Sequence, residues 1–285
     1  MNINIPLDVP KKYKKNYKRN FLTATHKSNN LFLFAGDQKI EHLNEDFASS
    51  LKFGNSDPEH LFKIASKSNI GVFAAHLGLI SRYGSKYKKI PYLIKLNGKT
   101  NIVKTQDPLS STLWSISDVI KLQKNSGLKI LGVGYTLYLG SEYENEMMTE
   151  ASKIISEAHA NGLITVLWIY PRGKNVKNEK SIEILSGAAG VGLCLGTDFI
   201  KLPYPFGNNE EEAKKFKEVI EAAGNTGIIC SGGKKINNKE LLKNISNQIK
   251  ISGARGCAIG RNLHQNDLKT AIKLANDISK IVYKK

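Results

Sequence analysis

From residue 31 onward the chain alternates short apolar runs with longer amphipathic stretches, and this limits the fold more than any other feature. The runs cover residues 31–37, 70–76, 91–97, 130–138, 164–170, 198–204, 227–233 and 256–261. Each has the length of a strand, and near-continuous apolarity is what a strand covered on both faces requires. The segments between them include helical patterns at 146–160, 180–189, 210–223 and 239–248, each long enough to cross back over a sheet. Gly127, Gly162, Gly224 and Gly253 stand where helices would close in a left-handed residue. Eight strands joined by such crossovers predict a closed (β/α)8 TIM barrel.

Residues 268–283 read as the last outer helix, and residues 1–30 are expected to cover the barrel bottom or pack on its side. No linker divides the chain, so residues 1–285 read as a single barrel domain. The stretch 98–125 is broken at Asp107-Pro108 before a helical pattern at 115–124, which suggests a functional loop after the third strand. Residues 78–89 are similarly irregular.

Composition narrows the setting. No stretch approaches the roughly 20 apolar residues of a membrane span, and residues 1–12 lack the apolar core of a signal peptide. Cys194, Cys230 and Cys257 lie in apolar runs without a C-x-x-C pair, and read as buried free thiols. A cytoplasmic protein is the expectation. The net charge of +17 would ordinarily raise nucleic acid as a partner. Here the lysines are scattered among Asn and Ile, and only five of the 42 basic residues are arginine, so solvated faces are the simpler reading. The exception is the segment KKYKKNYKR at 11–19, where tyrosines interleave with lysines.

Barrels of this kind carry their active site at the C-terminal ends of the strands. The polar residues there are Asp37, His76, Lys95 with Asn97, Tyr135 with Tyr138, Trp168 with Tyr170, Lys201 with Tyr204, Ser231-Gly232-Gly233, and Gly260-Arg261. Lys201 stands in the apolar run DFIKLPY. Burial disfavours a charged amine, and a neutral lysine attacks carbonyls to give a Schiff base, an electron sink for breaking a neighbouring carbon–carbon bond. The alternative is a lysine that snorkels to solvent from a strand end. Lys95, inside LIKLN, competes for the nucleophilic role; it either tunes the other amine by its charge or pairs with Asp37 or another acid and orders the site.

Glycines after strands seven and eight, with Arg261, fit the phosphate site that such barrels often build there, although tight turns alone use the same residues. Asp37, Glu41 and His42 are the nearest approach to a metal cluster, yet no zinc-type spacing is present. His76 reads equally as a substrate contact or a hydrogen-bonded structural histidine.

The segments FAGDQKIEH (34–42), IKLNG (94–98), GVGYTLYLGSEYE (132–144), WIYPRG (168–173), DFIKLPY (198–204), SGG (231–233) and GARGCAIGRNLHQ (253–265) together resemble the archaeal-type class I fructose-bisphosphate aldolases. The resemblance spans the barrel. It implies that Lys201 forms the imine, Tyr170 transfers protons, and Asp37 and Trp168 contact substrate. It also implies that Ser231, Gly232, Gly233, Gly260 and Arg261 hold a phosphate. Lys95, from its place in the third strand, is taken as a substrate-binding residue. No cofactor is expected beyond the covalent imine through Lys201. A homo-oligomer and a phosphorylated sugar as partner follow from the same resemblance, and the lack of a spanning run sets the expectation of no membrane partner. The activity implied is cleavage of a ketose phosphate, fructose 1,6-bisphosphate first. The alternatives are a transaldolase-like synthase of the same family and a non-catalytic sugar-phosphate or nucleic-acid binding barrel. One departure bears on substrate: Gln38 and Lys39 follow Asp37 where family members commonly have histidine and glycine.

Overall fold

A computed structural model describes residues 3–43, 45–47, 56–207 and 209–284, so residues 1 and 2 of the N-terminal segment lie outside the described residues. The expected runs form β1 (Leu31–Ala35), β2 (Val72–His76), β3 (Tyr92–Lys95), β4 (Ile130–Leu139), β5 (Ile164–Pro171), β6 (Phe199–Leu202), β7 (Gly227–Ser231) and β8 (Gly256–Ile259). All pair in parallel and in sequence order, and β8 closes onto β1. The (β/α)8 barrel is therefore observed. The helices are α1 (Lys14–Ala24), α2 (Gln38–Glu41), α3 (Glu59–Lys67), α4 (Leu77–Tyr83), α5 (Ile116–Ser126), α6 (Glu144–Ala160), α7 (Ile182–Leu195), α8 (Glu210–Lys215), α9 (Lys217–Ala222), α10 (Asn238–Lys250), α11 (Arg261–His264) and α12 (Leu268–Tyr283).

Alternation along the strands sorts side chains into two cores. Leu31, Leu33, Ala35, Val72, Ala74, Ile164, Val166, Phe199 and Ile229 fill the barrel. Phe32, Phe34, Phe73, Ile94, Ile200 and Ile228 lie between barrel and helices. Continuing the inward parity by one more step reaches Asp37, His76, Lys95, Trp168, Lys201 and Ser231. The uppermost inward layer is thus largely polar, and its Asp37, Lys201 and Ser231 face the mouth of the barrel.

The N-terminal segment seals the opposite end. Tyr17 and Phe21 of α1 are buried with the inward core, and Phe21 stacks on Phe199 at 5.7 Å. Tyr17 donates its hydroxyl to Asp198 just before β6. One tyrosine of the basic segment is therefore spent on the core.

His159 of α6 completes this lower network. It is fully buried, 2.8 Å from Asp8 Oδ2 through Nδ1 and 3.2 Å from Asp198 Oδ2 through Nε2. Burial opposes its charge, but the bond to and charge of Asp198, then those of Asp8, lift it from 6.5 to about 9. A histidine raised on folding stabilises most below its unfolded value, and that contribution fades as pH rises through the folded one. We expect up to about 3 kcal/mol of stability to be lost between pH 6.5 and 9.5. Urea unfolding across that range should show a steeper loss for the wild type than for His159→Gln; equal slopes would refute the assignment.

Several expectations are corrected. Cys230 and Cys257 are buried, but Cys194 is exposed on α7. The single helix expected at 210–223 is interrupted at Phe216, whose buried ring meets Tyr204 edge-on at 5.0 Å. The irregular stretch 78–89 carries α4 and a short 3-10 turn, Gly84–Lys86. Arg261 opens the short helix α11 and does not end a strand.

Candidate active site

A cleft of about 710 Å³ opens at the C-terminal end of the barrel. Asp37, Tyr170, Lys201, Ser231, Gly232, Gly233, Gly260 and Arg261 line it, as expected from the strand ends. Trp168 and Lys95 do not: they lie beneath its surface, 1% and 0% exposed.

Lys201 is 5% exposed, and its Nζ lies 5.2 Å from the centre of the Trp168 ring. Burial lowers its pKa, Arg261 assists, and the Asp37 and Glu41 carboxylates only partly oppose this. The amine is therefore held nearer its neutral form than a free lysine. Lys95 lies on the same indole, with Nζ 5.6 Å from the ring centre. The ring reaches both amines because it crosses β4 at Gly134, where a Cβ would meet Trp168 Cζ3 at 2.3 Å. Any side chain at position 134 would push the indole away.

Lys95 donates to the carbonyl and the side-chain oxygen of Asn97, both at 2.8 Å, and lies 3.9 Å from Glu41 Oε1. Asn97 is itself fixed by its amide bonds to the carbonyls of Ser110 and Thr136, each 2.8 Å. Of the two roles open to Lys95, ordering the site is the one this geometry favours, through Asn97 and Glu41 and not through a bond to Asp37. His76 Nε2 donates to the same Asn97 carbonyl at 3.2 Å, and burial brings its pKa down to about 4. It is held neutral and lies outside the lining of this cleft.

Tyr170 stacks on Tyr138 at 6.1 Å, and the Arg172 guanidinium lies 5.9 Å from each ring. Burial, then the Glu41 and Asp37 carboxylates, push the Tyr170 phenol up. It holds its proton firmly at neutral pH. Asp37 is 3% exposed, and its Oδ1 has no hydrogen-bond partner among the described residues. A buried oxygen left open in this way invites a substrate hydroxyl.

On the other side of β6, Asn262 Nδ2 donates to the Gly232 and Lys234 carbonyls, and its Oδ1 accepts from the Ile236 N–H, so the loop after β7 is pinned. Gly233 takes φ 64° with open space before it. Gly232 departs from its expected role: its N–H donates to the Ala258 carbonyl at 2.9 Å as part of the barrel. Gln38 leans over Gly260, where a Cβ would meet its Nε2 at 2.4 Å. Lys39 turns away from the cleft, its Nζ 4.2 Å from the Phe47 ring, so its charge does not enter the substrate space.

Glu41, Tyr138, Arg172 and Glu179 complete the surroundings; from the sequence Tyr138 stood among the strand-end residues and Glu41 only in a possible metal cluster, while Arg172 and Glu179 had no part. Glu41 follows Asp37 by four residues on α2, a spacing that places both on one helical face. Among the described residues no group of three His, Cys, Asp or Glu side chains is arranged to hold a metal ion.

Residues 31–266 match the model of the DeoC/LacD family aldolases. A Methanocaldococcus jannaschii protein named fructose-bisphosphate aldolase/6-deoxy-5-ketofructose 1-phosphate synthase is 55% identical over 97% of this chain and 89% of its own. A class 1 fructose-bisphosphate aldolase of Thermoproteus tenax is 32% identical over 92% of this chain and 93% of its own. A fructose-bisphosphate aldolase from Slackia heliotrinireducens superposes with a TM-score of 0.95 at 46% identity, covering 99% of this chain and 90% of that one. An archaeal fructose-1,6-bisphosphate aldolase, solved with its catalytic lysine bound to the carbinolamine intermediate, matches with a TM-score of 0.81 at 29% identity, over 94% of this chain and 99% of that one. The chain belongs to the DeoC/LacD family of aldolases and, within it, to the class I aldehyde-lyases that work through a lysine Schiff base.

Proposed function

We propose that this chain cleaves a ketose phosphate, fructose 1,6-bisphosphate above all, through an imine on Lys201. The observation that carries the reading is the Lys201 amine: buried, held toward neutrality, and seated between a protonated phenol on the preceding strand and the glycine loops of β7 and β8.

The neutral amine adds to the C2 ketone to give a carbinolamine. Tyr170 begins protonated and so acts first as an acid, giving its proton to the departing hydroxyl, which leaves as water. The resulting phenolate then takes the proton of the C4 hydroxyl as the C3–C4 bond breaks. The bond electrons enter the iminium and leave an enamine. Protonation at C3 and hydrolysis release dihydroxyacetone phosphate. Asp37 orients a hydroxyl through its open Oδ1. Ser231, Gly233, Gly260 and Arg261 hold the phosphate beside the amine. Lys95 and Trp168 support the amine from below.

Run in reverse with another acceptor aldehyde, the same steps give a synthase. The name of the M. jannaschii relative carries a synthase as its second activity.

Borohydride reduction with dihydroxyacetone phosphate, followed by peptide mass mapping, tests the reading. We expect a reduced adduct on the peptide carrying Lys201. Adduct on a different lysine, or none with either dihydroxyacetone phosphate or fructose 1,6-bisphosphate, overturns it.

A further inference from the structure

The cleft has two arms, one on each side of Lys201, and they treat anions differently. On the β7–β8 side Arg261 meets the Asp46 carboxylate at 3.8 Å, beyond hydrogen-bond distance. On the β5 side Arg172 is committed: its Nε and Nη2 donate to Glu179 Oε1 and Oε2 at 3.1 and 3.2 Å. This is the two-point fork that guanidinium makes with carboxylates. Both residues line the cleft. The Arg172 side chain is 48% exposed and that of Glu179 43%, so the pair sits at the rim, where water screens it.

We propose that Glu179 is a specificity-determining residue, which offsets the charge of Arg172 and lets this arm accept an aldehyde half with or without a terminal phosphate. The proposal rests on the aldolase reading. A phosphorylated aldehyde end must share Arg172 with Glu179 or displace it, and either costs part of the attraction. An uncharged end finds the guanidinium already paired. Selectivity is the difference between these two affinities, and a rim carboxylate keeps that difference small. The guanidinium meanwhile keeps its place over Tyr138 and Tyr170. Glu179 therefore sets the charge of the arm without removing the group that covers the phenol.

The test compares kcat/KM for fructose 1,6-bisphosphate and for fructose 1-phosphate in the wild type, Glu179→Gln and Arg172→Gln. Glu179→Gln is expected to raise the ratio in favour of the bisphosphate by roughly three- to ten-fold, mainly through a lower KM for it. Arg172→Gln should move the ratio the other way. An unchanged ratio in Glu179→Gln overturns the proposal. So does an equal change for both substrates, which would mean that Glu179 acts only through Tyr170. If the wild type cleaves neither ketose phosphate and traps no imine, the aldolase reading fails first, before any variant is compared.

Discussion

Lys201→Met is expected to abolish both cleavage and the borohydride-trapped adduct while leaving the barrel at least as stable. Methionine keeps an unbranched stem of similar length against Trp168 but carries no nucleophile. Residues that act as a unit with a nucleophile lose their value when it is removed, so turnover should fall by about 10⁴-fold or more. Stability should move in the opposite direction. The wild-type amine is 5% exposed, and burial already works against its charge. Replacing it with an apolar thioether removes that conflict, as expected where a site keeps a residue for chemistry at some cost to the fold. A thermal melt of the variant should therefore match or exceed that of the wild type. Activity lost together with a large fall in Tm would mean that Lys201 is structural. An adduct persisting on Lys95 would mean that the nucleophile is misassigned.

The barrel was legible in the sequence because a strand covered on both faces must be apolar almost throughout, and eight such runs admit few arrangements. The strand-end rule carried the reading to Asp37 and Lys201, and the strand parity explains it, since Leu31, Leu33 and Ala35 point inward and so do Asp37 and, on β6, Lys201. What parity does not give is height. Trp168 and Lys95 face inward yet lie under the cleft floor, where the indole crosses a neighbouring strand at Gly134. That relation joins β4 and β5 and leaves no trace in either run alone. The N–H of Gly232 was likewise claimed by Ala258 of the adjacent strand. Glu179 lies seven residues beyond Arg172 in a loop, with no periodic pattern to link them. Cys194 was misread because α7 is apolar nearly all round, so its composition does not say which face meets solvent. The departure at Lys39 bears less on the substrate than its position next to Asp37 and Gln38 implies, because its place after β1 sends it toward Phe47.

Tyr170→Phe is the second large effect, and it should separate binding of the ketone from breakage of the bond. The substitution removes one hydroxyl and leaves a ring able to keep its stack on Tyr138 and its cover from Arg172. Positioned acid–base groups typically contribute about 10² to 10⁴ in rate, so kcat for fructose 1,6-bisphosphate should fall by that factor. The equilibrium yield of trapped adduct with dihydroxyacetone phosphate should remain, reached more slowly, because Lys201 and the phosphate loops are untouched. The pH profile should sharpen the distinction. Burial and the nearby carboxylates raise the Tyr170 phenol above its ordinary 10.0, so in the wild type no alkaline loss of activity from this group is expected below that pH. Lys201 is lowered, so activity should rise toward its plateau at a pH below that of an ordinary lysine. Tyr170→Phe should keep that rising limb, which belongs to the amine, at a much reduced height. A variant that retains kcat within about tenfold of wild type would remove Tyr170 from the proton path, since the effect would lie below the lower bound for such a group. A variant that loses the adduct altogether would instead place the phenol in the binding of the ketone.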